Sequence, residues 1–336
     1  MEDPVLIEVL RGRSVESRHA GAFAVVDADG SVVLSAGDIA RPVFPRSAVK
    51  VIQALPLIES GAADRYGLED AELALACASH SGEPAHVAAA AAMLRKAGLA
   101  PDCLECGTHW PSNSGAARAL ARAGEEPSAL HNNCSGKHAG FVCTACATGH
   151  APAGYVRAEH PVQEMVREAL GSVTGAPLSP EDRGTDGCSI PTYPIPLRAM
   201  ARGFARIGSG EGLGTARTAA AQRLRAAVAA HPFMVAGTGR ADTRIMEVLG
   251  ARAFVKVGAE GVHCAALPEL GLGIAIKCDD GAGRGAELVM ATLLRRLLPL
   301  DDAAREALRS LAEPVLRNWN GIEVGSLRAA GPLAAA

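Results

Sequence analysis

Strand-like alternation is confined to the two ends of this chain, and helical periodicity fills the long stretch between them. Near the start, HAGAFAVVDADGSVVLSAGD reads as two β-branched runs joined at Asp27-Ala28-Asp29-Gly30, a hairpin signal. Toward the other end, AFVKVG, GVHCAALPE and LGIAIKCDDG predict a three-stranded meander, followed by a helix over AELVMATLLRRLL. The two ends of the chain are therefore expected to supply strands and flanking helices, and the middle a helical portion. The intervening segments HVAAAAAMLRKAG, SGAARALARAG, PVQEMVREALGSV and TARTAAAQRLRAAVAAH carry helical spacing between Gly/Pro-rich loops. A helix is also expected from Ser47 to Glu59, kinked or shortened at Pro56. The expected fold is therefore α/β. A single domain is expected over 1–336, with the sheet and its flanking helices drawn from 1–60 and 245–300 and a mainly helical portion over 61–244.

At 336 residues and 49% hydrophobic, the chain can bury a large core. A formal charge of −3 without long single-sign runs offers no footprint for nucleic acid or an anionic membrane. No apolar stretch approaches a membrane span. The N-terminus is acidic before it is apolar, unlike a signal peptide, and nine cysteines is an odd number, so reduced thiols in a cytoplasmic protein are expected. The expected partner is a small molecule or a second copy of the chain.

Five lysines stand against twenty-eight arginines. Arginine solvates a surface but does not give up its proton, whereas a desolvated lysine can. Each lysine therefore invites a local reason. Lys50 follows Ser47 by three residues, a spacing that shares one helix face and suits a nucleophile and its base. To act as a base Lys50 must be neutral, and burial beside a second cation favours that; Lys256, opening Lys256-Val257-Gly258, is the candidate. Free backbone N–H groups at the helix start could hold an oxyanion. The order of Ser-x-x-Lys, a serine-bearing loop (Ser79-His80-Ser81 or Ser135-Gly136-Lys137) and a late Lys-x-Gly strand is that of serine acyl enzymes of the β-lactamase and penicillin-binding group.

Cys103-x-x-Cys106 and Cys143-x-x-Cys146 have the form of zinc pairs, but thirty-six residues separate them and the second pair falls in a helical pattern, which fits core packing better. Cys134 and Cys188 lie in polar, glycine-bearing segments of the kind that build sites. His80, His138 and Asp186 are candidates for holding a polar substrate.

Six blocks carry a resemblance: FPRSAVKVIQALPL, CASHSGEPAH, LHNNCSGKHAGF, GTDGCSIPTYPIPL, MVAGTGRADT and VKVGAEGVH. In this order, over about residues 5–330, they resemble the serine-dependent, rhizobial-type class of bacterial L-asparaginases, the asparaginase II family. The resemblance implies a fold like that of serine β-lactamases and glutaminases, a sheet flanked by helices with an attached helical portion. It implies hydrolysis of L-asparagine to aspartate and ammonia, with Ser47 as nucleophile, Lys50 as its base, and Ser79 and Lys256 as a second Ser/Lys pair. It further implies zinc bound by Cys134, Lys137 and Cys188, no organic cofactor, Asp186 receiving the substrate α-ammonium, Arg46 and His80 helping to hold the amino acid, and a homodimer. Val257 replaces the usual threonine of Lys-Thr-Gly, a departure from the β-lactamase pattern. The alternatives are an L-glutaminase or dual amidase, and a non-catalytic zinc-binding protein.

Overall fold

The computed structural model describes residues 2–335. Its one large sheet has eight antiparallel strands: β1 (Val5–Arg11), β2 (Ser14–Asp27), β3 (Val32–Ala36), β4 (Phe254–Val257), β5 (Val262–Leu267), β6 (Leu272–Cys278), β7 (Val315–Arg317) and β8 (Glu323–Ala329). The order is β7-β8-β1-β2-β6-β5-β4, with β3 pairing β2. The long β2 serves two partners in turn: Ser14–Ala20 pairs with β1, and Gly21–Asp27 pairs with β6. The hairpin between β2 and β3 closes on Asp27, whose carboxylate accepts the N–H groups of Asp29, Gly30 and Ser31. The chain is thus a mixed α/β protein whose sheet joins strands from both ends, as its sequence predicts. The pairing of β1 with β8, strands far beyond the meander, was not anticipated.

The chain divides into two compact units. The sheet unit comprises residues 1–48, 195–209 and 244–336. Its strands β5 and most of β6 are buried on both faces, so they read as apolar runs rather than alternating ones. The helix Leu197–Ser209 lies against one face. At Gly273 of β6 a Cβ would come 2.0 Å from the Ala201 carbonyl and 2.3 Å from the Ala205 nitrogen, so only glycine permits so close a crossing. The helix Gly283–Leu297 lies against the opposite face, where Gly285 approaches Cys278, of the other parity along β6.

The helical unit comprises residues 49–194 and 210–243. Its axis is the helix Ser135–Ala147, in which eleven of thirteen residues are buried. The helices Asp70–Ala76, Pro84–Lys96 and Pro161–Thr174 pack against it. The stretch expected as one helix from Ser47 is a 3-10 turn, Arg46–Val49, followed by Lys50–Gln53 and Leu55–Glu59, broken just before Pro56. Among the described residues no helix is long and apolar enough to cross a membrane.

Candidate active site

In the helical unit the centre of the site is Lys50, which is 0% exposed. Its Nζ lies 2.5 Å from the Ala78 carbonyl, 2.9 Å from Ser79 Oγ and 3.1 Å from Cys134 Sγ. Three contacts match three N–H groups of an ammonium. A neutral amine fits equally well, donating to Ala78 and Cys134 and accepting from the Ser79 hydroxyl. The hydroxyl that Lys50 meets directly is therefore that of Ser79, 8% exposed, whose own N–H is fixed by the Val235 carbonyl at 2.9 Å.

Two segments supply these partners, and one glycine brings them together. Ala78 and Ser79 continue the chain just past the helix Asp70–Ala76, while Cys134 opens the helix Ser135–Ala147. At Gly136 a Cβ would stand 2.4 Å from Leu75 Cγ and 2.5 Å from the Leu75 carbonyl oxygen. The absence of a side chain there lets one amine reach both segments. The sequence carried this signal as the glycine of Ser135-Gly136-Lys137, but a glycine alone does not say what it must avoid.

Cys134 faces a second thiol and a second amine. Cys134 Sγ donates to Asn133 Oδ1 at 3.0 Å, and a hydrogen bond with Cys188, with Lys50 and Lys137 nearby and against the opposing effect of burial, holds the Cys134 thiol well below the usual range. The same bond, with burial, pushes Cys188 up. Lys137, 2% exposed, places Nζ 3.1 Å from Cys188 Sγ. Burial alone lowers Lys137, but Cys188, Cys134 and Asp186 outweigh it and raise it to about 12. Asp186 accepts the Gly187 N–H at 2.8 Å in the tight turn that presents Cys188, and Ser189, next in line, adopts a left-handed φ of 77°.

The set Cys134, Lys137 and Cys188 thus gathers two sulfurs and one nitrogen in a buried cluster. Among the described residues no group of three or more His, Cys, Asp or Glu side chains is arranged to hold a metal, and this cluster has only two such ligands, its third being an amine. Soft thiolates with one nitrogen suit zinc and leave a coordination position for water, so the residues fit the ion that the resemblance implies. Lys137 must lose its proton to take part.

His80 is 1% exposed and lies between the two segments. Its Nδ1 accepts the Gly82 N–H at 3.2 Å, so the hydrogen sits on Nε2, which donates to Ser135 Oγ at 2.9 Å. Burial first, then His86 and Lys50, hold it well below 6.5 and neutral. Nδ1 is thus engaged within its own loop, while Nε2 ties the Ser79 segment to the Cys134 segment. The block MVAGTGRADT also finds a structural use, since Glu83 accepts the Thr238 N–H at 2.8 Å and its hydroxyl at 2.7 Å. Gly237, with φ 109°, has no space for a side chain beside Ser81.

The sheet unit holds Arg46, Ser47 and Lys256. Ser47 is partly exposed in the 3-10 turn Arg46–Val49, and Arg46 enters that turn with a left-handed φ of 50°, a conformation that costs a non-glycine residue roughly 1–2 kcal/mol. Lys256 is 0% exposed on β4, with Nζ 2.8 Å from the Val257 carbonyl. Gly258 ends this strand against the turn: a Cβ there would stand 2.7 Å from the Pro45 carbonyl oxygen. The strand bearing Lys256 and the turn bearing Ser47 are therefore neighbours.

Among solved structures, the chain is similar to Mglu in its native form, at 15% identity and a TM-score of 0.42, with 79% of this chain and 61% of that one covered. It is similar also to a β-lactamase from Mycobacterium bovis, at 15% identity and a TM-score of 0.36, covering 79% and 89% of the two chains. The chain thus spans less than two thirds of the Mglu chain. No curated protein sequence matches it significantly. The description of the L-asparaginase II family matches residues 7–329, nearly the whole length. The chain belongs to the L-asparaginase II family.

Proposed function

We propose that this protein is an L-asparaginase that hydrolyses the side-chain amide of L-asparagine through a serine ester. The observation that carries the reading, beside family membership, is the wholly buried Lys50 amine held at 2.9 Å from a serine hydroxyl. A solvent-screened amine of this kind is the group a Ser/Lys acyl enzyme needs.

Ser47, the partly exposed serine, attacks the amide carbonyl while its proton passes to Lys50. The proton then goes to the departing nitrogen, the C–N bond breaks, and ammonia leaves an aspartyl ester on Ser47. Water hydrolyses that ester by the reverse proton route. Ser79, already bonded to Lys50, relays the proton, and Lys256 assists as the second amine. Arg46 and Asp186 hold the α-carboxylate and α-ammonium of the amino acid, while His80 secures the loop behind Ser79. Zinc held by Cys134, Lys137 and Cys188 would supply positive charge that polarises or orients the site. Glutamine is the competing substrate, because one methylene is worth only about 1–3 kcal/mol in a pocket.

The direct Lys50–Ser79 contact favours one other reading, in which Ser79 itself carries the ester. Mass spectrometry of acid-quenched enzyme after mixing with asparagine decides between them. An aspartyl adduct on the peptide containing Ser47 is expected. An adduct on the Ser79 peptide moves the nucleophile, and unchanged ammonia release by Ser47→Ala removes the acyl-enzyme reading at that serine.

A further inference from the structure

We propose that Glu83 is a positioning residue for the Ser/Lys pair: acting through the segment 233–238, it fixes the peptide between Ala78 and Ser79 against which the Lys50 amine rests. Its effect on rate rests on the acyl-enzyme reading above. That one peptide makes two bonds in opposite directions, as the C=O and N–H of a trans peptide must. Its carbonyl, from Ala78, accepts from Lys50 Nζ at 2.5 Å, and its N–H, from Ser79, donates to the Val235 carbonyl at 2.9 Å. Ser79 also carries the hydroxyl that Lys50 meets at 2.9 Å. Losing the Val235 bond would free the plane to turn the Ala78 oxygen from the amine, and free Ser79 to shift its hydroxyl.

Val235 takes its own place from the same stretch of chain. It lies in the five-residue helix Pro232–Ala236, whose last carbonyls have no partners within the helix. Gly237-Thr238-Gly239 follows, with both glycines at positive φ, 109° and 73°. So permissive a segment is positioned by what it meets. Before Val235, His86 is the anchor: its Nδ1 accepts the Glu83 N–H at 3.2 Å, so Nε2 carries the hydrogen and donates to the Phe233 carbonyl at 3.1 Å. The rings of His86 and Phe233 stack at 4.6 Å. After Val235, the Glu83 carboxylate accepts the Thr238 N–H at 2.8 Å and its hydroxyl at 2.7 Å, and a bond from Ser81 Oγ at 2.7 Å aims it. Gly237 passes so close that a Cβ would stand 2.6 Å from Glu83 Oε1. Residues 79–86 thus bracket the Val235 carbonyl between two anchors. Thr238 is exposed, so changing it removes a hydrogen bond without opening a cavity.

Thr238→Val and Glu83→Ala test this, read by hydrogen–deuterium exchange and by asparagine-dependent ammonia release well below the unfolding temperature. The Ser79 amide is expected to exchange about tenfold faster or more, with the helix Ser135–Ala147 protected as in wild type. The same variants should lower kcat about tenfold or more with KM within about twofold, because the Lys50 contacts loosen while substrate is held elsewhere. A purely structural role would lower the unfolding midpoint but leave kcat per folded molecule unchanged. Thr238→Ser, which keeps both bonds to Glu83, is expected to match wild type in both readouts. Wild-type exchange at Ser79 in folded Thr238→Val, faster exchange with unchanged kcat, or a Thr238→Ser that behaves like Thr238→Val would each overturn the proposal. A wild-type chain that releases no ammonia from asparagine defeats the acyl-enzyme reading instead, and the exchange result still decides whether Glu83 holds the peptide.

Discussion

Replacing Gly136 by alanine tests whether the site depends on the close approach of two helices. The residue lies inside the helix Ser135–Ala147, so alanine suits its backbone and should add about 1 kcal/mol of helix propensity. Any loss must then come from contact. The new Cβ would stand 2.4–2.5 Å from Leu75 Cγ and its carbonyl oxygen, where ordinary contact begins at 3.4 Å. Relief requires the two segments to separate by about 1 Å, and the obstacle is partly backbone, which cannot rotate aside. Ala78 and Ser79 move with the Leu75 segment and Cys134 with the other, so Lys50 cannot keep contacts of 2.5, 2.9 and 3.1 Å to all three. Overpacking costs about 1–3 kcal/mol, and a misplacement of about 1 Å can lower a rate some hundredfold. The assays are urea denaturation and asparagine-dependent ammonia release. Gly140→Ala, one turn later, is the control: its Cβ meets the movable end of the Leu57 side chain at 3.3 Å and Ala76 Cβ at an ordinary 3.6 Å, and near-neutral behaviour is expected. A Gly136→Ala protein with stability and kcat/KM within twofold of wild type would refute the reasoning.

Lys50→Arg should abolish ammonia release, because a guanidinium cannot act as the base, whereas Lys96→Arg, whose amine meets Glu72 and the Gly67 carbonyl, should leave activity intact. Elemental analysis of a Cys134→Ala/Cys188→Ala variant should show zinc lost; undiminished zinc would move the ion elsewhere. Glu83 is held below its ordinary 4.5 because the hydrogen bonds from Ser81 and Thr238 prevail over the burial that raises it. Its contribution is therefore present above the unfolded carboxylate value and is lost as pH falls through the lower folded one. Glu83→Gln should cost about 1–2 kcal/mol near neutrality, a difference that closes in acid; a gap of constant size from pH 7 to 3 would contradict the assignment.

The sheet was legible wherever the chemistry is local. Asp27 and Gly30 announce their hairpin, and the apolar runs of β5 and β6 announce buried strands. The helix Leu197–Ser209 was not placed, because nothing in its own residues says that it lies on the sheet; the trace of that contact is a glycine seventy residues away, Gly273. β7 has only three residues and β8 mixes polar residues and glycine, with a register irregularity between Leu316 and Arg317, and such segments resemble loops. For the site, spacing linked Lys50 to Ser47 because both lie in one segment. Its contacts with Ser79 and Cys134 depend on how three distant segments pack. The meeting of Cys134 with Cys188 was legible only through family resemblance, since no local pattern joins residues fifty-four apart. His80 was expected to hold substrate on account of its type and neighbours, but its Nδ1 accepts the Gly82 N–H two residues on, and the packing of a distant segment gives its Nε2 the partner Ser135.

The pairing of β1 with β8 has a consequence for how the molecule is made. Once β2 emerges, β1 can form a hairpin on one side, but its other edge waits for residues 323–329. At roughly 5–20 residues per second that interval is about 15–60 s. Throughout it Leu6, Ile7 and Val9, buried in the finished fold, belong to a half-completed sheet. Most of the helical unit emerges meanwhile. β1, translated some three hundred residues before β8, is thus among the last strands to be completed, and damage to β8 will be felt at β1.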